Sequence, residues 1–157
     1  MAILNILKDT DPTLRKISRE VTEITPRILT LLDDMKETMR AANGCGLAAV
    51  QVGVLRRVVV IETEESGYIE LINPKIIAHS GKQQEAEGCL SVPGRWGITN
   101  RPMHVTVKAL NRDGEEVTYT GKELLARAFC HELDHLEGKL FTDHAIRMLS
   151  KDEVEFD

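Results

Sequence analysis

The sequence predicts an α+β domain in which antiparallel strands pack around a C-terminal helix, with a further helix near the N-terminus. Three observations carry this reading: helical apolar spacing at both ends of the chain, short β-branched runs between them, and a hairpin signal ahead of the last helix. No repeat, low-complexity linker or compositional break divides the chain, so residues 1–157 are read as one domain.

The first helix is announced by Thr25 as N-cap and Pro26 at the first helical position. Ile28, Leu31, Leu32, Met35 and Met39 then form an i, i+3, i+4, i+7 stripe, and the helix is expected to end near Asn43-Gly44. From Val58 to Ser80 the segments VVVIE, YIELI and KIIAHS are short and β-branched. Ser66-Gly67 and Asn73-Pro74 separate them, which predicts strands of one sheet. The segments VTVKAL and EEVTYT are joined through Asn111-Arg112-Asp113-Gly114, where Asp-Gly is expected to supply the positive φ angles of a tight hairpin. The last helix runs from about Lys122 to Leu136, rich in Glu, Leu, Ala and Arg, with Gly138 placed to end it. The acidic tail KDEVEFD is expected to fray.

Composition narrows the function. Of the 157 residues, 42% are hydrophobic and 29% charged, with a net charge of -5 and scattered Lys and Arg, so no basic surplus supports nucleic-acid binding. The opening MAILNILKDTDP meets Asp and Pro before a signal-peptide core can form, and no later stretch is long enough to span a bilayer. The expectation is a soluble, cytoplasmic protein. Three cysteines, Cys45, Cys89 and Cys130, are an odd number in a chain that needs no staples, so free thiols and possible metal thiolates are expected rather than disulfides.

The strongest motif is His131-Glu132-Leu133-Asp134-His135 on the last helix. Two imidazoles four residues apart lie one turn above the other and reach one ion. At about 100° per residue, Leu124, Ala128, His131 and His135 share one stripe, read as the core-facing side, with Glu132 rotated off it toward the rim. The metal is therefore expected to sit deep. One histidine on an apolar face would read as a satisfied core residue, but two at this spacing point to a metal.

A catalytic site needs three protein ligands and an open position. A further histidine six residues beyond His135 would complete one common pattern, but Phe141 stands there and has no metal donor. No convincing second helix follows that could offer a glutamate, so the third ligand should lie upstream. Cys89, in the turn-like segment Glu87-Gly88-Cys89-Leu90-Ser91, is a candidate. Read alone it is equally a small buried hydrophobe, the reading that suits Cys45 and Cys130.

Three segments taken together, Gly44-Cys45-Gly46-Leu47-Ala48-Ala49-Val50-Gln51, Glu87 to Ser91 and His131 to His135, closely resemble bacterial peptide deformylase, from Met1 to about Asp143. The resemblance implies removal of the formyl group from N-formylmethionine at the start of new bacterial polypeptides, with release of formate. It implies Cys89, His131 and His135 as ligands of one divalent metal, usually iron(II), with zinc or nickel able to replace it. Glu132 matches the catalytic carboxylate; Gln51 and the backbone N–H of Leu90 match the groups that steady the oxyanion. Gly44, Cys45, Gly46, Glu87, Gly88 and Ala128 fall to the substrate surface, with the backbone of Gly44 to Gly46 receiving the peptide as an added strand and Cys45 beside the methionine pocket. The implied partners are N-formylmethionyl nascent peptides at the ribosome.

The residues make chemical sense without the name. A two-histidine, one-thiolate site leaves room for a water whose pKa the metal lowers, and Glu132 can take its proton and later deliver it to the departing amine. One departure stands out: Trp96 occupies the position where the family commonly has Arg, with Arg95 one residue earlier. The chain also ends soon after the last helix, which leads us to expect a short or missing C-terminal extension, as in the shorter bacterial type. The competing readings are a metallopeptidase, disfavoured by Phe141, and a structural or buffering metal module, which would leave Glu132 and Gln51 without a task.

Overall fold

The computed structural model describes residues 2–150 and Glu153. Its elements are α1 (Pro26–Ala41), β1 (Gly46–Ala48), β2 (Val58–Thr63), β3 (Gly67–Ser80), β4 (Gln83–Cys89), β5 (Val92–Arg101), β6 (His104–Leu110), β7 (Glu116–Lys122), α2 (Glu123–Leu136) and β8 (Arg147–Met148). Short 3₁₀ turns lie at Pro12–Arg15, Ala49–Val52 and Phe141–Asp143. Apart from Glu153, the acidic tail lies outside the described residues.

Thr25 caps α1 as its sequence predicts, its Oγ1 accepting from the Ile28 N–H. The helix ends in a Schellman turn: Asn43 takes the left-handed conformation at φ 57°, while the Gly44 N–H donates to the Met39 carbonyl. The same device closes α2 through Gly138, whose φ is 76°.

Five strands form one antiparallel sheet in the order β1-β2-β3-β6-β7, and β4-β5-β8 form a second. The larger sheet is covered on both faces. Val59, Ile61, Leu71, Val105 and Val107 pack with Leu125, Phe129 and Leu136 of α2, whereas Val58, Val60 and Ile72 pack with Ile28, Leu32, Met35 and Met39 of α1. That double burial explains why VVVI is an unbroken apolar run instead of an alternating one.

Several details differ from the sequence reading. Asn73-Pro74 does not separate two strands; β3 runs through it, with a register shift between Ile72 and Lys75. A bulge tolerates proline's missing donor. Asn73 adopts φ 52° and its side chain bridges to the Val21 N–H and carbonyl, which fixes the N-terminal segment on the sheet. In the β6–β7 hairpin only Gly114 has positive φ, at 79°; Asp113 does not, because the Asn111 side chain accepts from the Asp113 and Glu115 N–H groups and builds a one-glycine turn. The β4–β5 hairpin was not expected as strands at all, since QQEAEGC lacks the β-branched signal.

Candidate metal centre and active-site cavity

The site lies where the end of β4 meets α2. Helical spacing stacks His131 and His135, and the β4–β5 turn brings Cys89 against them. The two Nε2 atoms are 3.2 Å apart, and Cys89 Sγ is 3.4 Å from His135 Nε2. All three ligand atoms lie within 4.8 Å of one another. Tetrahedral coordination with ordinary zinc-like bond lengths separates two nitrogens by roughly 3.3 Å and a sulfur and nitrogen by roughly 3.6 Å. The spacings of the two histidine nitrogens and of Cys89 with His135 are thus close to those of ligands sharing one ion.

The surroundings orient the two histidines as candidate ligands. His131 Nδ1 faces Glu87 Oε2 at 2.5 Å, which leaves Nε2 for a cation. Burial alone would raise the Glu87 carboxyl, but the hydrogen bonds from His131 and Arg101 hold it at about 2, firmly ionised. Burial and the neighbouring His131 keep His135 well below the usual histidine range, in the neutral form that binds metal. Although burial opposes it, Cys89 and Glu87 push His131 well above that range, so these acceptors favour a positive charge among them. Phe141, the residue in the place of a possible third histidine, is fully buried and stacks on the His131 ring.

Glu132 is not rotated toward the rim. It is 4% exposed, and Oε1 is buried with no hydrogen-bond partner among the described residues. Leu124, expected on the core side, is instead 46% exposed at the cavity mouth. The reason is that α2 is wedged between the large sheet and the β4–β5 hairpin, so its buried face is centred on Leu125, Phe129, Glu132 and Leu136. His131 and His135 still sit deep, at 7% and 0% exposure. Burial raises the Glu132 carboxyl to about 7, the range suited to proton transfer at neutral pH.

A cavity of about 480 Å³ opens beside this centre, and it is lined by Gly44, Cys45, Gly46, Gln51, Glu87, Gly88, Cys89, Leu90, Ala128, His131 and Glu132. All the sequence-derived site residues except His135, which lies behind the wall, thus meet at one surface. Gln51 is 1% exposed; its Oε1 accepts from the Ala48 N–H, and its Nε2 donates to Ser91 Oγ at 3.0 Å and points a second hydrogen toward Cys89 Sγ at 3.7 Å. Close approach explains the glycines: a Cβ on Gly46 would lie 2.7 Å from Glu132 Oε2, and one on Gly88 would lie 2.8 Å from the Trp96 ring. Glu87 lines the cavity, yet both of its oxygens are engaged behind it by His131, Thr99 and Arg101.

The family model described as polypeptide deformylase matches residues 3–151. The chain belongs to the polypeptide deformylase family. It is 59% identical over 155 residues to the peptide deformylase of Acetivibrio thermocellus, covering 99% of this chain and 91% of that one. With the peptide deformylase of Alkaliphilus metalliredigens it shares 58% identity over 147 residues, 94% of this chain and 99% of that one. Among solved structures it is similar to a peptide deformylase from Legionella pneumophila, with TM-score 0.88, 43% identity and coverage of 94% and 86%. It is also similar to the Ehrlichia chaffeensis enzyme in complex with actinonin, with TM-score 0.89, 41% identity and coverage of 99% and 94%.

Deformylases are metal-dependent hydrolases, and removal of the N-formyl group from nascent peptides is the activity of this chain. The expected α+β fold stands as well. No helix among the described residues is long and apolar enough to cross a membrane. The sequence reading missed Arg101, which joins Glu87 to Asp134, and Arg127, which lines the cavity and donates to Gln83. Neither residue belongs to a local pattern, and only the register of the β4–β5 hairpin would have brought Arg101 beside Glu87.

Proposed function

We propose that Cys89, His131 and His135 hold one divalent cation, iron(II) in the cell with zinc or nickel able to replace it, and that the cavity beside them binds N-formylmethionyl peptides emerging at the ribosome in the cytoplasm. The observation that carries this is the convergence of three candidate ligand atoms beside a buried carboxylate oxygen of Glu132 that has no partner among the described residues. A cation bound there supplies Lewis acidity and lowers the pKa of water toward neutrality.

The remaining work falls to the chain itself. β1 is an edge strand, and the backbone from Gly44 that leads into it at Gly46 continues its open edge, on which a peptide lies as an added strand. Cys45, Glu87, Gly88 and Ala128 line the space for the methionine side chain and the adjoining backbone. Water attacks the formyl carbon while Glu132 takes a proton at a carboxylate oxygen, and the carbonyl oxygen becomes an oxyanion. The Leu90 backbone N–H, and the Gln51 Nε2 hydrogen that is held only at 3.7 Å from Cys89 Sγ and turns from it to the substrate, stabilise that charge more than they do the flat formamide. The carbon–nitrogen bond then breaks, Glu132 returns its proton to the departing amine, and formate and a free N-terminus leave.

The test is formate release from a formyl-methionyl peptide, with metal analysis of the same anaerobically prepared sample. One equivalent of iron together with formate release is the expected result. Full activity after complete metal removal would refute the ligand assignment.

A further inference from the structure

Cys89 is carried by a strand and the two histidines by a helix, so something must hold those two elements at the separation a metal requires. We propose that Arg101 is that positioning residue: its guanidinium clamps β4 to α2 and thereby pre-sets the spacing of the three ligands. The inference rests on the ligand set proposed above.

The contacts are directed at both ligand-bearing elements. Arg101 Nε donates to Glu87 Oε1 at 3.1 Å and Nη2 to Glu87 Oε2 at 2.8 Å, a two-pronged grip on the residue two positions before Cys89. Nη1 donates to Asp134 Oδ2 at 2.8 Å, on the residue immediately before His135. Glu87 in turn holds the His131 ring through Nδ1. One side chain thus fixes the strand, the helix and the rotation of one imidazole at once. Thr99 Oγ1 donates to Glu87 Oε1 at 2.8 Å and completes the carboxylate's partners.

Stability alone does not account for this arrangement. Arg101 and Glu87 are 8% and 7% exposed, and a buried ion pair is often no more stabilising than apolar residues of the same volume. What the pair provides is geometry, because a planar guanidinium addresses two carboxylates in fixed directions, whereas a lysine ammonium is a point charge on a flexible stem. Direct partners of metal-binding histidines, as Glu87 is of His131, typically govern metal affinity by about 10- to 100-fold, and Arg101 acts through that partner.

The experiment loads the full chain with Co²⁺ and reads the sulfur-to-cobalt absorption band, the visible bands that report coordination geometry, and the affinity in competition with a chelator. Each variant is measured at a temperature where circular dichroism shows it folded. In the wild type a thiolate band is expected, and Cys89→Ala should lose it; a wild type without that band would refute the ligand set, and the clamp with it. Arg101→Met is expected to bind Co²⁺ about 10- to 100-fold more weakly, with shifted visible bands. If Arg101→Met does not fold, Arg101→Lys decides alone, since it keeps the charge but cannot bridge both carboxylates. A loss of about fivefold or more in the folded variant supports the clamp. A smaller loss with an unchanged cobalt spectrum overturns it, because an arginine that served only stability would lower the unfolding temperature and leave the folded chain's metal affinity alone.

Discussion

Replacing Gly46 by Ala tests how tightly the structure confines Glu132, the proposed proton carrier. The added Cβ would lie 2.7 Å from Glu132 Oε2 and 3.0 Å from its Cδ and Cγ. Ordinary carbon contacts fall near 3.5 Å or beyond, so the carboxylate must retreat by roughly half an ångström or more. Gly46 is not among the positive-φ glycines, so alanine meets no backbone penalty, and the metal ligands are untouched. A misplacement of about 1 Å at a reacting group costs on the order of 100-fold, which places the loss in kcat/KM at about 10- to 100-fold, or roughly 1.4–2.7 kcal/mol in the barrier. Gly44→Ala probes the substrate edge instead: its Cβ would meet Leu90 Cδ1 at 2.7 Å and leave Glu132 alone, so its effect is expected on KM more than on kcat. The assay is formate release from a formyl-methionyl peptide, normalised to bound metal. A Gly46→Ala enzyme with full metal and more than about a third of wild-type activity would refute the claim that the position of Glu132 limits the reaction.

Three further outcomes follow from the same structure. Elemental analysis should find metal lost from Cys89→Ala but retained in Cys45→Ala and Cys130→Ala; burial pushes both of the latter thiols up, Cys130 to about 11, so alkylation of either should be slow at neutral pH. Trp96 stands 40% exposed over Gly88 at the cavity mouth, so Trp96→Arg is expected to change KM for peptides longer than formyl-methionine more than kcat, and the reverse pattern would show that the ring acts at the reacting centre. Away from the site, burial raises the Glu70 carboxyl, but hydrogen bonds from Arg112 and Tyr68 outweigh it and hold the carboxyl below the usual range. Its stabilising contribution is complete above about pH 4.3 and fades as pH falls through the lowered value, so Arg112→Ala should lower the unfolding temperature at pH 7 by an amount that shrinks as the solution is acidified. A shift that stays constant through the whole acid titration of the carboxyl would count against the ion pair.

What could be read in advance follows from which signals are local. The first helix is written in Thr25, Pro26 and a stripe of apolar residues, all within one segment, and the structure reproduces it to within two residues of its end. The histidine pair was legible for the same reason, because a helix fixes i, i+4 neighbours whatever surrounds them. Direction on that helix was not legible: Leu124 and Glu132 exchanged their expected environments, since Gly46 of β1, which packs against Glu132, contributes nothing to the helix's own periodicity. The β4–β5 hairpin was hidden by its composition. Glu85, Glu87 and Gly88 disfavour an isolated strand, but pairing with β5 and the buried contacts of Glu87 overcome the propensity. Arg101 stayed invisible because its partners lie far off in sequence, and Pro74 misled because a bulge absorbs its missing donor.

The most direct test of the central assignment is Glu132→Gln, measured as kcat/KM for formate release at matched metal occupancy. Glutamine has nearly the same shape and leaves Cys89, His131 and His135 in place, but it takes up no proton at neutral pH. General acid–base assistance is worth about 10²- to 10⁴-fold, and one group here serves both the attack and the departure of the amine, so a loss at the upper end with full metal content is predicted. A loss below about tenfold at full metal content would contradict the account, because it would mean that the reaction proceeds without Glu132 as its proton carrier.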